Sequence, residues 1–145
     1  MKILIKNQQR CRKLDRKKIA STAGNILTLL KQPDAELSIL FVGNKRMQEL
    51  NTAFRGIRKT TDVLSFEAGL QLPGLPDNVL GDVVINIYRA ESQAEAADMG
   101  LYDEIYRLLI HGILHLLGYE HENGGSDEKK MVRKERAVQT ALENI

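Results

Sequence analysis

The sequence predicts an α+β fold, in which one small mixed β-sheet of about four strands carries helices mainly on one side. Strand-like segments are concentrated in the first 87 residues, and helical periodicity fills most of the remainder. The 145 residues are 43% hydrophobic, which is enough for one sizeable core. Because no repeat, low-complexity tract or linker divides the chain, residues 1–145 are predicted to form a single domain.

Four segments have the apolar and β-branched character of strands. Residues 1–7 alternate loosely, with Ile3 and Ile5 on one face, and predict an edge strand. The other three are 36–42 (ELSILFV), 61–66 (TDVLSF) and 81–87 (GDVVINI). Residues 69–78, which contain two of the three prolines, are predicted to be a mobile loop between the last two strands.

Five segments are predicted to be helical. Apolar residues recur at helical spacing over 14–30, and Pro33 ends that helix because a proline disfavours helical geometry in the residue before it. Asn44 is the predicted N-cap of a short helix that reaches Phe54, and Ser126 is the predicted cap of the last helix. The other two helices span 88–98 and 102–117, with Met99-Gly100 between them.

The net charge of +2 hides an uneven distribution. Residues 1–61 hold 14 Lys/Arg and 4 Asp/Glu, whereas residues 62–145 hold 7 and 15. Most of the basic excess lies in two clusters, which suit a polyanion such as RNA, although an ordinary solvated surface explains the charge equally well. The clusters are Arg10, Arg12, Lys13, Arg16, Lys17 and Lys18, and Lys45, Arg46, Arg55, Arg58 and Lys59.

Composition also indicates the compartment. The single cysteine, Cys11, has no partner for an internal disulfide, which fits a reducing environment. No apolar run approaches the ~20 residues that cross a bilayer, and the start of the chain lacks a signal-peptide core. We therefore expect a cytoplasmic protein without a membrane partner. The oligomeric state is not indicated.

All three histidines fall within eleven residues, HGILHLLGYEH, as His111, His115 and His121. The first two are one turn apart on one helix face, and Gly118 offers a helix exit that brings His121 back toward them. Three neutral imidazoles meeting at one point suit a zinc ion and leave a fourth position for water, as in catalytic zinc sites. The same ligand set also suits nickel and other divalent ions. Because the helix is apolar nearly all round, unpaired imidazoles would be costly there.

The histidine spacing matches the zincin pattern H-E-x-x-H-x-x-G-x-x-H and predicts a zincin-like metal helix. Gly112 stands where the protease pattern has its general-base glutamate. Peptide hydrolysis by the usual metalloprotease route would lack its base. A metallopeptidase-like hydrolase is therefore an alternative function and not the first.

The segment HGILHLLGYEH also resembles the H-G-x-L-H-L-x-G-[YH]-[DE]-H signature of the YbeY family of bacterial metallo-endoribonucleases. Residues 50–66 (LNTAFRGIRKTTDVLSF) resemble the second block of that family, and residues 81–85 (GDVVI) resemble the third. With the block order and the chain length also similar, the resemblance spans nearly the whole chain.

The resemblance implies a zinc-dependent endoribonuclease that is specific for single-stranded RNA. It implies a role in ribosomal RNA processing, particularly at the 3′ end of 16S rRNA, and in ribosome biogenesis and quality control. The implied partners are ribosomal RNA and the ribosome or ribosomal proteins. The implied zinc ligands are His111, His115 and His121, and these residues together with Arg55 are the predicted catalytic set.

These implications agree with the chemistry of the residues. Phosphodiester cleavage places extra negative charge on phosphoryl oxygens, and a guanidinium such as Arg55 pairs with two of them, unless it forms only a surface salt bridge. Zinc supplies hydroxide at neutral pH or acts as a Lewis acid while the RNA 2′-hydroxyl attacks, and the sequence leaves both routes open. Glu120 and Glu122 are candidates for orienting a ligand or serving as base, or are exposed loop acids.

Three nearby polar residues have structural explanations. Asp62 is predicted to cap or pair locally. Ser65 is predicted to be a strand residue and not a nucleophile, because no histidine remains to activate it. Tyr119 either faces the metal cleft or packs. A second alternative function is a non-catalytic ribosome assembly factor whose metal only supports folding.

Overall fold

Three parallel strands and one antiparallel strand form the sheet of the computed structural model, which describes residues 1–71, 74–119 and 125–145. The strands are β1 (Lys2–Asn7), β2 (Glu36–Val42), β3 (Val63–Glu67) and β4 (Val79–Asn86). The helices are α1 (Arg16–Leu29), α2 (Asn44–Arg55), α3 (Ala68–Gln71), α4 (Ile87–Ala96), α5 (Leu101–Leu116) and α6 (Gly125–Glu143). The order across the sheet is β1-β2-β4-β3, which confirms the predicted α+β class and the edge position of β1.

Alternating side chains of the sheet separate two cores. In β2, Leu37, Ile39 and Phe41 face the main core, where α1, α4, α5 and α6 pack. Leu40 and Val42 face the other side, where residues of α2 pack against β3 and β4. The predicted placement of helices mainly on one side is therefore confirmed, since a single long helix covers the second face. No helix among residues 1–71, 74–119 and 125–145 is long and apolar enough to cross a membrane.

Three local predictions are wrong. Ser126, the predicted cap of the last helix, lies inside α6, which begins at Gly125. Gly43 occupies the N-cap of α2, and the Asn44 side chain instead accepts a hydrogen bond from the Asn86 amide nitrogen at 2.8 Å. The segment predicted as a loop from residue 69 begins inside α3, a one-turn helix that is too short for periodicity to reveal. Leu72 and Pro73 of that loop lie outside the described residues, and its mobility stays a prediction.

Asn86 is the fully buried residue that joins these elements. Its side-chain oxygen accepts from the Tyr88 amide at 3.0 Å and so caps α4. Its amide nitrogen donates to Asn44, to the Thr60 hydroxyl and to the Thr61 carbonyl. Because every polar atom of the side chain is used, Asn86 fixes the end of β4, the start of α2 and the chain entering β3 relative to each other.

A buried carboxylate ties α4 to α5. Glu104 is 3% exposed and accepts from Gln93 and from the Arg107 guanidinium, whose second nitrogen lies 2.8 Å away. Burial raises the pKa of Glu104, but the hydrogen bonds from Arg107 and Gln93 and the charge of Arg107 outweigh it, so its pKa lies below the ordinary value of 4.5. The ionised carboxylate therefore contributes stability above about pH 4.5, and this contribution is lost as the pH falls through the lower folded-state pKa.

Arg107→Ala is expected to lower the free energy of unfolding at pH 7 by roughly 1–3 kcal/mol, because the Glu104 carboxylate then loses its charged partner while it stays buried. Urea unfolding at pH 7 and at pH 4 measures the effect. The difference between variant and wild type should shrink at the lower pH, because burial without the Arg107 charge raises the pKa of Glu104 in the variant, whose carboxyl group then takes up a proton before that of the wild type does. Arg46→Ala, which removes an exposed pair with Glu49, is the control and should change stability little at either pH. An equal loss at both pH values for Arg107→Ala would contradict this account.

Candidate metal centre

The last two turns of α5 bring two of the predicted ligands together. The Nε2 atoms of His111 and His115 lie 3.1 Å apart, and the ring planes meet at 76°. Residues four apart project from the same helix face, and here both Nε2 atoms point to one place. A tetrahedral zinc with Zn–N distances of about 2.0–2.1 Å separates two ligand nitrogens by about 3.3–3.4 Å. The pair therefore fits zinc without rearrangement of the helix.

Glu135 of α6 orients the first of these rings. Its carboxylate lies 2.7 Å from Nδ1 of His111, and both side chains are mostly shielded from solvent. A carboxylate accepts a hydrogen bond from Nδ1–H, so in the neutral imidazole the proton stays on Nδ1 and the lone pair is left on Nε2, the atom beside His115. This is the ligand–carboxylate arrangement that commonly holds a metal-binding histidine. Glu135 was not predicted from the sequence, because 24 residues separate it from His111 and nothing in α6 marks it.

The third predicted ligand lies outside the described residues. The helix exit at Gly118 is present, with φ +94° after the C-cap Leu117, a conformation that glycine adopts without strain. His121 follows in the segment 120–124, as do Glu120 and Glu122. Within the described ranges, no group of three or more His, Cys, Asp and Glu side chains is gathered for a metal. The three-histidine site and its cofactor stay predictions.

The family model for endoribonuclease YbeY matches residues 4–143. The chain belongs to the YbeY endoribonuclease family. The endoribonuclease YbeY of Aquifex aeolicus is 40% identical over 141 residues, which cover 97% of this chain and 91% of that protein. The endoribonuclease YbeY of Geobacter sulfurreducens is 36% identical over 146 residues, which cover 99% and 97%.

The fold agrees with this membership. The solution structure of TM1509 from Thermotoga maritima superposes with a TM-score of 0.66 at 26% identity, covering 97% of this chain and 88% of that one. The predicted family is therefore confirmed, and so is the predicted enzyme class, an endoribonuclease.

Gly112, the residue that separates this YbeY chain from the zincin protease pattern, is enclosed by the sheet. A Cβ atom at this position would lie 2.7 Å from Cγ1 of Val83 and 3.1 Å from the Ser65 hydroxyl. The Gly112 carbonyl also accepts a hydrogen bond from that hydroxyl at 2.8 Å. A glutamate side chain at this position would collide with the strands and would not reach a substrate. The close packing of α5 against β3 and β4 therefore excludes a general base at position 112.

The remaining site predictions for this YbeY member have mixed outcomes. Arg55 is the last residue of α2 and is exposed, and its catalytic role stays a prediction. Ser65 is a strand residue with a structural hydrogen bond, as predicted. Asp62 accepts from the Val63 amide at 2.8 Å, which confirms its local role. Tyr119 packs against the main core, the second of its two predicted roles.

Glu135→Gln is expected to weaken zinc binding by about 10- to 100-fold, because a neutral amide holds the His111 ring less firmly than a carboxylate. Competition with a chromogenic chelator measures the affinity. Glu143→Gln is the matched control, since it makes the same change at an exposed position of α6 and should leave the affinity unchanged. Equal affinities for wild type and Glu135→Gln would mean that the carboxylate does not support the metal.

Proposed function

We propose that this chain is a zinc-dependent, single-strand-specific endoribonuclease that acts in ribosomal RNA processing, including maturation of the 3′ end of 16S rRNA. The observation that carries the metal dependence is the pair of Nε2 atoms 3.1 Å apart, with His111 oriented from behind by Glu135. His121 would complete the ligand set. Zinc held by these residues would supply Lewis acidity toward a phosphate ester and an acidified water. Another divalent metal with affinity for imidazole would serve the same ligands.

The protein's own residues have separate tasks in this proposal. His111 and His115 present their Nε2 lone pairs, and Glu135 keeps the proton of His111 on Nδ1. Arg55 would pair with the non-bridging oxygens of the scissile phosphate and hold them as negative charge develops. Gly112 supports this choice over a metallopeptidase. It occupies the position of the general-base glutamate of the protease pattern, and the neighbouring strands leave no room for a side chain there.

The biological setting follows from the family. Ribosomal RNA is the proposed substrate, and the ribosome or ribosomal proteins are the proposed partners. A cytoplasmic location agrees with this setting and stays a prediction. The alternative function is a metal-containing assembly factor without catalytic activity. It predicts a different result, because the protein would bind RNA and leave it intact.

The proposed function is tested by metal removal. Elemental analysis of purified protein should find one zinc per chain, and treatment with a chelator should reduce cleavage of single-stranded RNA on the order of 10³-fold, reversibly on addition of zinc. Casein serves as the competing substrate. Cut casein with intact RNA would favour the peptidase, and metal-loaded protein that binds RNA without cutting it would favour the assembly factor. A 2′,3′-cyclic phosphate product would identify the RNA 2′-hydroxyl as the nucleophile.

A further inference from the structure

A basic cleft lies at the carboxyl ends of the parallel strands, separate from the histidine pair. Its volume is about 580 Å³. Its walls come from the residues after β1, the first turn of α2 after β2, and the start of α4 after β4. Ligands of open α/β sheets commonly bind at this edge. The lining residues that matter here are Arg10, Lys45, Arg46, Glu49 and Tyr88.

Tyr88 offers an aromatic ring in this cleft. Its side chain is 48% exposed although it follows the buried cap Asn86. The ring lies against Gly43, where a Cβ atom would come within 3.2 Å of Cε2. Gly43 therefore lies against one edge of the ring, and about half of the residue stays exposed to solvent. A ring that is held in this way is a platform on which a base stacks with little loss of side-chain freedom.

The surrounding charges are mainly positive. Arg10, Lys45 and Arg46 line the cleft, and Glu49, which pairs with Arg46 at 3.2 Å, is the one acidic residue among the lining residues described. Cations beside an exposed aromatic ring are the combination by which proteins bind single-stranded nucleic acid. An acidic protein bound in this cleft would pair with the same cations, but its binding would give the Tyr88 ring no specific role.

The wall that contains Arg10 is held in place. The Gln8 amide donates to the Phe41 carbonyl at 2.8 Å, which continues the β1–β2 pairing beyond the strand. Two residues after Arg10, the Arg12 guanidinium makes a two-pronged pair with Glu91 of α4 at 2.9 and 3.0 Å. The segment after β1 is thus fastened to both neighbouring elements, so the cleft is preformed.

The helix α2 connects this cleft to the predicted phosphate-binding arginine. Lys45 and Arg46 lie in its first turn and Arg55 is its last residue, so the two ends are about 16 Å apart at 1.5 Å per residue. Phe54, 62% exposed, adds an aromatic ring beside Arg55. Cationic and aromatic side chains therefore lie at both ends of α2, with Tyr88 of α4 supplying the ring at the first turn, and this spacing suits one extended strand lying along the helix.

We propose that the cleft formed by Arg10, Lys45, Arg46 and Tyr88 binds a segment of the single-stranded RNA substrate away from the cut, with Tyr88 stacked on a base and the cations paired with phosphates. The proposal rests on the proposed nuclease function for the identity of the substrate. The cleft would then be a second contact site for the RNA, so tight binding would require an RNA long enough to reach both sites.

The test is fluorescence anisotropy with a labelled single-stranded RNA and with an abasic strand of the same length. Tyr88→Ala should weaken binding of the RNA about tenfold and leave binding of the abasic strand unchanged, whereas Tyr88→Phe should bind both like wild type. Replacing Arg10, Lys45 and Arg46 together by glutamine should weaken both ligands and reduce the slope of log affinity against log salt by about 2. Lys31→Gln, an exposed charge beyond the end of α1, is the control and should have a smaller effect.

Unchanged RNA affinity of Tyr88→Ala would overturn the stacking proposal, and so would an equal loss for the abasic strand. A triple variant that binds no worse than Lys31→Gln would overturn the phosphate contacts. Variants that lose binding of polyglutamate while they keep RNA binding would assign the cleft to an acidic protein instead. If wild type cuts RNA but the cleft variants bind normally, this inference fails and the nuclease function stands. If wild type never cuts RNA but the variants lose binding as described, the nuclease function fails and the cleft stands.

Discussion

Replacing His115 by alanine is expected to reduce cleavage of single-stranded RNA on the order of 10³-fold or more. The reason is that the proposed metal site would lose one of the two imidazole nitrogens that lie 3.1 Å apart, and the transition state would then lose several kcal/mol of charge stabilisation. The position is in the last turn of α5 and is only half-buried, and alanine favours helix, so the fold should persist. Cleavage of a labelled RNA, zinc content and circular dichroism measured on the same preparation provide the readouts.

The affinity of this variant for RNA separates catalysis from assembly. Binding like that of wild type, together with lost zinc and lost cleavage, is the expected result, because the basic cleft contains neither histidine. A folded His115→Ala protein that still cuts RNA at the wild-type rate would contradict the metal mechanism. A variant that unfolds on losing zinc would favour the assembly factor, in which the metal only contributes folding free energy.

Substituting Gly112 by alanine is expected to lower the free energy of unfolding by about 1–3 kcal/mol, because one methyl group would overlap Val83 and crowd Ser65. Gly112→Glu, the change that restores the zincin protease pattern, should be more damaging and should yield no peptidase. A buried carboxylate would add its desolvation cost to the overlap. Urea unfolding measures both variants, and casein hydrolysis checks the second.

A double-variant cycle with Val83 isolates the contact. Val83→Ala alone leaves a cavity and destabilises, but it also removes Cγ1 and Cγ2 of Val83, which would lie 2.7 and 3.1 Å from the new methyl group. The combined Gly112→Ala, Val83→Ala protein should therefore be more stable than the sum of the two single losses predicts. Additive losses would mean that the close approach of α5 to β4 is not the cause. A stable Gly112→Glu protein that cuts casein would overturn the assignment of Gly112 to packing.

The sequence determined those features whose physical causes are local. The spacing of His111 and His115 implies one helix face, and Gly118 implies the helix exit, because both depend on backbone geometry within a few residues. The period-2 and helical patterns likewise located the four strands and the long helices to within a few residues. The cap of α2 and the short α3 were missed, because several backbone conformations are close in energy at such places and neighbouring elements choose among them.

The tertiary structure alone decided the features that join distant segments. Glu135 reaches His111 because α6 packs on α5, and the crowding around Gly112 exists only because α5 lies against β3 and β4. The cleft around Tyr88 is lined by residues that follow three different strands, so no local sequence pattern predicts it. The hydrophobic packing that places these elements depends on their apolar faces and not on their separation in sequence. Polar side chains on packed elements therefore contact partners that a pattern of neighbouring residues cannot predict.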